Sequence, residues 1–157
     1  MLKQLRISKG LTQKEAAMLL GVSIRSYKTY ENDESKENTI KYKYMFDLLS
    51  KYGYIDETHG ILSLENITNA LKDVFKNYDV DYCILFGSYA KGEAGEKSDV
   101  DLLVSTRATG MEFFGLAEDL RESLHKKVDL LNLEQLKNNL PLLDEILKTG
   151  VKVYEKQ

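Results

Sequence analysis

The stretch from Gly87 to Val104, GSYAKGEAGEKSDVDLLV, constrains the fold of this chain more than any other. An apolar run, VDYCILF (80–86), ends in Gly87-Ser88. Ten residues later, Asp99 and Asp101 flank the start of a second apolar run, VDLLV (100–104). Short apolar runs bounded by glycine and polar residues are strand signatures. A surface hairpin accounts for the turn-rich middle of the stretch but not for its ends. Glycine lets the backbone approach a phosphate closely. A helix opening at SYAKG would aim free N–H groups at an anion, and the Ser88 hydroxyl adds a donor. Asp99 and Asp101, two apart on a strand, project to one face. Two carboxylates on one face repel unless a cation lies between them. Mg²⁺ suits that place, because it prefers oxygen ligands and keeps substrate phosphates in its shell. A third carboxylate is expected from a neighbouring strand, and Asp129 in KVDLLN (127–132) is placed to supply it.

The surrounding pattern fits a small mixed sheet with helices packed on it. LENITNALKDVFKNY (64–78) has helical period, with Ile67, Ala70, Leu71, Val74 and Phe75 on one side. MEFFGLAEDLRESLHKK predicts a helix between the second and third strands, and LPLLDEILKTG a final helix opening near Pro141, which a first turn tolerates. VKVYE is a candidate closing strand.

The first third of the chain has helical periodicity and no strand signature. Thr12 with Glu15 three residues on is a capping-box signature, so a helix starts at Thr12 with Ala16, Ala17, Leu19 and Leu20 as its apolar face. Gly21 ends it. Ser23 caps a second helix over about 24–30, with Ile24, Tyr27 and Tyr30 at helical spacing. KYKYMFDLLSKYGYI predicts a further helix that offers Tyr44, Phe46, Leu48 and Leu49 for packing, and DETHG (56–60) marks a domain boundary. The expected class is α+β: an all-α helix-turn-helix bundle over 1–58, followed by a mixed-sheet domain with flanking helices over 63–157.

Charge separates the two parts. Residues 1–30 carry six Lys/Arg against Glu15, a balance of +5, whereas residues 63–157 carry twelve against seventeen acids, a balance of −5. A basic end on an acidic body suggests that one segment meets a polyanion and the other does not. Arg25 and Ser26, on the outer face of the second helix, could reach base edges, and Ser23, Lys28 and Thr29 could reach phosphates. No apolar run approaches the roughly 20 residues of a membrane span. The lone Cys83 cannot form an internal disulfide and sits in an apolar run, so it is expected in the core of a cytoplasmic protein. His59 and His125 are expected at the surface.

LTQKEAAMLLGVSIRSYKTYEN resembles the Xre/Cro family of helix-turn-helix domains, including its Tyr30-Glu31-Asn32 ending, with Asp33 where that family often has glycine. The resemblance implies a small bundle that binds operator DNA, usually as a homodimer; the alternative is a domain that only dimerises or contacts protein. VDYCILFGSYAKGEAGEKSDVDLLV resembles the DNA polymerase β nucleotidyltransferase superfamily, in particular its minimal nucleotidyltransferase branch. Lys91 stands where many members have arginine, which keeps the charge but not the bidentate geometry.

By that resemblance, Gly87, Ser88 and Lys91 hold the triphosphate of ATP. Asp99 and Asp101 bind two Mg²⁺ ions, and Asp129 completes the catalytic metal site and helps activate the incoming hydroxyl. The branch commonly supplies antitoxins that transfer AMP to a tyrosine of a HEPN-domain ribonuclease toxin, and a helix-turn-helix suits an antitoxin that represses its own operon. A nucleotide-sensing regulator without transfer activity, or a small-molecule (antibiotic) nucleotidyltransferase, are the alternatives.

Overall fold

The computed structural model describes all residues from Met1 to Gln157. The chain divides into two compact units, Met1–Tyr54 and Ile55–Gln157. The first is all helical and the second is a four-stranded mixed sheet with helices, so the class is α+β. No helix is long and apolar enough to cross a membrane.

The first unit contains α1 (Leu2–Ser8), α2 (Gln13–Leu19), α3 (Ile24–Asn32) and α4 (Ile40–Lys51), with a 3-10 turn at Glu34–Lys36. Thr12 and Glu15 form the full capping box at the start of α2. The Ser23 hydroxyl accepts the Ser26 N–H and so caps α3, which runs two residues past the expected end. Gly21, in the left-handed region at φ +66°, makes the turn between α2 and α3. The core consists of Leu2, Ala16, Ala17, Leu20, Tyr27, Tyr42, Met45 and Leu49. Two expectations shift here. Leu19 and Tyr44 are exposed, at 44% and 60%, because the inner faces of α2 and α4 are set by Ala16, Ala17 and Leu20 and by Tyr42, Met45 and Leu49.

A buried ion pair also ties this unit together. Arg6 on α1 donates to both oxygens of Glu31 on α3, at 2.8 and 3.2 Å, and Gln13 on α2 donates to the same carboxylate at 2.8 Å. The Glu31 side chain is fully buried. Burial would raise its pKa, but the hydrogen bonds from Arg6 and Gln13 outweigh that and hold it below the usual value. At the far end, the Lys9 ammonium donates to the carbonyls of Ser50 and Tyr52, covering the C-terminal end of α4.

The second unit runs α5 (Leu64–Phe75), β1 (Val80–Phe86), α6 (Gly87–Lys91), β2 (Val100–Thr106), α7 (Gly110–Leu124), β3 (Val128–Asn132), α8 (Leu140–Thr149) and β4 (Val151–Glu155). The sheet order is β3-β2-β1-β4, with β2 and β3 parallel and the other pairs antiparallel. Period-2 alternation sorts the strands onto two faces. Cys83, Leu85, Val100, Leu102, Val104 and Leu130 pack with α5 and α7 residues such as Leu71 and Leu116. Phe86, Leu103 and Leu131 belong to a smaller cluster with Leu136, of a 3-10 turn at Leu133–Leu136, and with Leu142 and Ile146 of α8. With both faces covered, β2 is apolar from Val100 to Val104 except where Asp101 interrupts it, on the α8 side.

Candidate active site

The parallel register of β2 and β3 places Asp101 directly opposite Asp129. The antiparallel register of β1 and β2 pairs Asp101 with Phe86, the last residue before the glycine turn. Gly87 therefore stands beside Asp101. It has φ +69°, and a Cβ there would overlap the Asp101 Oδ2 and lie 3.0 Å from its Cγ. Both the backbone conformation and the missing side chain are required at this position. Gly87 opens α6, a single five-residue stretch that Gly92 closes at φ +71°. The ten residues after Ser88 then bring the chain back to Asp99, one residue ahead of β2.

Asp99 and Asp129 are exposed, and Asp101 is half-buried between them. Its carboxyl is pushed up to about 6, first by burial and then by the charges of Asp129, Asp99 and Glu145. A fourth carboxylate thus belongs to this acidic edge. Glu145 lies on α8, and nothing in the local sequence around it marks it. Only the packing of α8 over the Asp101 face of the sheet brings it in. Glu145 also makes an ion pair with Lys91 at 2.9 Å, which raises the Lys91 pKa. Lys91 therefore projects toward the acidic edge from the end of α6, but its charge is already engaged.

As they stand, no three His, Cys, Asp or Glu side chains converge closely enough to form a ready metal cage. The donor chemistry nonetheless fits a hard divalent cation: all the donors are carboxylate oxygens, and the one at the centre is held protonated up to an unusually high pH by burial and then by repulsion from its neighbours. A cation bound there would relieve that repulsion.

In the helical unit, Arg25, Lys28 and Thr29 lie on the exposed side of α3 and line an open depression with Ile24, Asn32 and Asp33. Three of the five sequence-nominated hydroxyl and basic groups are already engaged. Ser23 caps α3, the Thr29 hydroxyl donates to the Arg25 carbonyl at 2.9 Å, and the Ser26 hydroxyl accepts from the Lys41 ammonium at 3.0 Å. Lys41 and Lys36 also stand over the Tyr30 ring, at 5.1 and 5.4 Å from its centre.

A helix-turn-helix bundle joined to a mixed sheet whose acidic strand edge faces a glycine turn defines a two-domain chain of the nucleotidyltransferase class. The chain belongs to the polymerase beta nucleotidyltransferase family, whose model matches residues 69–157, and a helix-turn-helix model matches residues 2–56. It is 42% identical over 62 residues to the "Putative protein adenylyltransferase MJ1215" of Methanocaldococcus jannaschii, covering 38% of this chain and 72% of that protein. It is 36% identical over 87 residues to "Protein adenylyltransferase MntA" of Thermococcus cleftensis, covering 52% of this chain and 88% of that protein. A crystal structure of a toxin-antitoxin with AMP-PNP aligns over 61% of this chain and 76% of that one, at 26% identity and a TM-score of 0.48.

Proposed function

We propose that the chain is a Mg²⁺-dependent protein adenylyltransferase that transfers AMP from ATP to a tyrosine of a HEPN-domain ribonuclease toxin. The observation that carries this reading is Asp101 in register with Asp129 and in contact range of the Gly87 turn. Similarity to proteins named as protein adenylyltransferases supports the acceptor class, and the resemblance to the minimal nucleotidyltransferase branch supports the toxin as the acceptor.

In this reading the Gly87 backbone and Ser88 receive the triphosphate. Lys91, paired with Glu145 through one donor, has further ammonium N–H groups to offer the phosphates. Asp99, Asp101 and Asp129 would hold the divalent ions, which when bound stabilise charge on the attacking and leaving oxygens. The tyrosine oxygen attacks the α-phosphorus, the bond to pyrophosphate breaks, and the tyrosine proton passes to Asp129. The helix-turn-helix unit binds operator DNA through the exposed face of α3 and represses the operon that encodes both proteins.

The test is incubation with labelled ATP, Mg²⁺ and the product of the neighbouring gene, followed by mass spectrometry of that product. AMP should be found on a tyrosine, and Asp99→Asn with Asp101→Asn should abolish it. A partner that stays unmodified under these conditions would sink the transferase reading.

A further inference from the structure

Lys126 is a charged residue with no exposed surface at all, backbone or side chain. It lies in the turn between α7 and β3, after His125, whose left-handed φ of 55° sets the bend. No carboxylate compensates it. Its ammonium donates instead to two backbone carbonyls from distant segments, His59 at 3.1 Å and Glu96 by a short bond. Burying an ammonium is costly unless its donors are used, and the two carbonyls take two of its three. An apolar residue would fill the same space without that cost, so the ammonium calls for an account.

That account is in what it holds. Glu96 lies toward the end of the spacer between the Gly87 turn and Asp99, three residues ahead of Asp99. One other long-range tether reaches the spacer, a longer bond of 3.4 Å from the Gly60 N–H to the Glu96 carboxylate, and the rest are local. The Glu93 N–H donates to the Ser88 carbonyl at 2.9 Å, and the Gly95 N–H to the Ser98 hydroxyl at 2.8 Å. Lys126 ties the last third of the spacer to the strand that carries Asp129, since Lys126 and Lys127 immediately precede β3. Next to it, the Lys127 carbonyl accepts the Val100 N–H at 2.9 Å, fixing the residue between Asp99 and Asp101.

We infer that Lys126 is a positioning residue for the acidic edge: it pins the spacer so that Asp99 is delivered against Asp101 and Asp129. The inference rests on the metal-binding reading above. Loss of the pin leaves the sheet intact and lets Asp99 wander, which weakens the cation site.

The experiment measures Mn²⁺ binding to the full chain by electron paramagnetic resonance, with hydrogen exchange of the amides from 93 to 99. Lys126→Met keeps the length and removes every donor, and Lys126→Gln keeps enough to reach one carbonyl. Mn²⁺ affinity should fall about tenfold or more in Lys126→Met, as is typical for partners that orient metal ligands, and less in Lys126→Gln. Exchange should accelerate in the spacer while α5 and α7 stay protected. If Lys126→Met fails to fold, the Lys126→Gln comparison alone decides. Folded variants that bind Mn²⁺ as the wild type does overturn the inference and leave the metal site standing. A wild type that binds no Mn²⁺ overturns both.

Discussion

Gly87 leaves no room for a methyl group in front of Asp101: a Cβ built there overlaps the Asp101 Oδ2. The glycine and the aspartate are one feature, although they stand fourteen positions apart in sequence. Gly87→Ala should therefore do two things. The left-handed φ costs about 1–2 kcal/mol with any side chain, and the methyl displaces the Asp101 carboxylate. Gly92 is the control, because it has a similar φ of +71° and nothing within 4 Å of its would-be Cβ. Gly92→Ala should lose comparable stability and keep its nucleotide transfer, whereas Gly87→Ala should lose transfer by about a hundredfold or more. Equal transfer by the two variants, at equal folded fraction, would show that the close approach is irrelevant.

Asp101 makes the stability of the second unit depend on pH in a direction opposite to most carboxylates. Its folded pKa is up at about 6, above its ordinary value near 3.8. Between those values the folded chain binds more protons than the unfolded one. The contribution of Asp101 is full below about pH 4 and is lost as pH rises through about 6. Asp56 and Asp79 shift the other way, so the comparison must be made against Asp101→Asn. Without divalent cation, the wild type should lose stability relative to Asp101→Asn as pH rises from 4 to 7. Mg²⁺ should raise the melting temperature of the wild type at pH 7.5 and hardly at all at pH 5, where protons occupy the site. A Mg²⁺ effect of the same size at both pH values would contradict the electrostatic picture.

The Arg6–Glu31 pair offers a way to separate the two units. Glu31→Ala leaves the Arg6 guanidinium, only 12% exposed, without its carboxylate, and strands Gln13 as well. Breaking one side of a buried pair costs about 3–5 kcal/mol, enough to unfold a unit of this size. Glu31→Ala should abolish DNA binding and lower the helical signal while pyrophosphate release by the second unit continues. Glu31→Gln, which keeps the shape and loses the charge, should fall between. Loss of both activities together would mean that the units do not fold independently.

How much of this was legible in the chain depends on sequence distance. The capping box at Thr12–Glu15, the cap at Ser23, the strand at 80–86 and the Asp99-x-Asp101 spacing are local patterns, and each is read from spacing alone. The helix faces were readable only in part: Leu19 and Tyr44 sit at plausible positions, but which stripe turns inward depends on what packs against it. Glu145 and Lys126 left no local trace, and Glu31 was visible only within the Tyr30-Glu31-Asn32 run, not as the buried partner of Arg6. Each is an ordinary charged residue on a helix or turn until the fold sets it against Asp101, Arg6 or the carbonyls of His59 and Glu96. Strand register is likewise non-local, and it is what sets Asp101 opposite Asp129.

The exposed face of α3 gives a graded prediction for DNA. Arg25 and Lys28 are exposed, and both line the open depression beside Asn32. Ser26 is already bound to Lys41, and Ser23 and Thr29 serve the helix backbone. The two basic residues should therefore dominate. Lys28→Ala should weaken binding to all sequences alike and reduce the salt slope by about 1, the signature of one phosphate contact. Arg25→Ala should cost about 1–3 kcal/mol and relax the preference at one base position, because a base-edge contact carries the sequence information. Ser26→Ala should change little directly. Ser23→Ala should cost about 1 kcal/mol of stability through the lost cap and affect DNA only as far as α3 frays. Fluorescence anisotropy with the promoter fragment and a scrambled duplex, across a salt series, reads all four variants. If Arg25→Ala with Lys28→Ala binds the promoter as tightly as the wild type, the α3 face is not a DNA surface, and the unit serves dimerisation or contact with another protein.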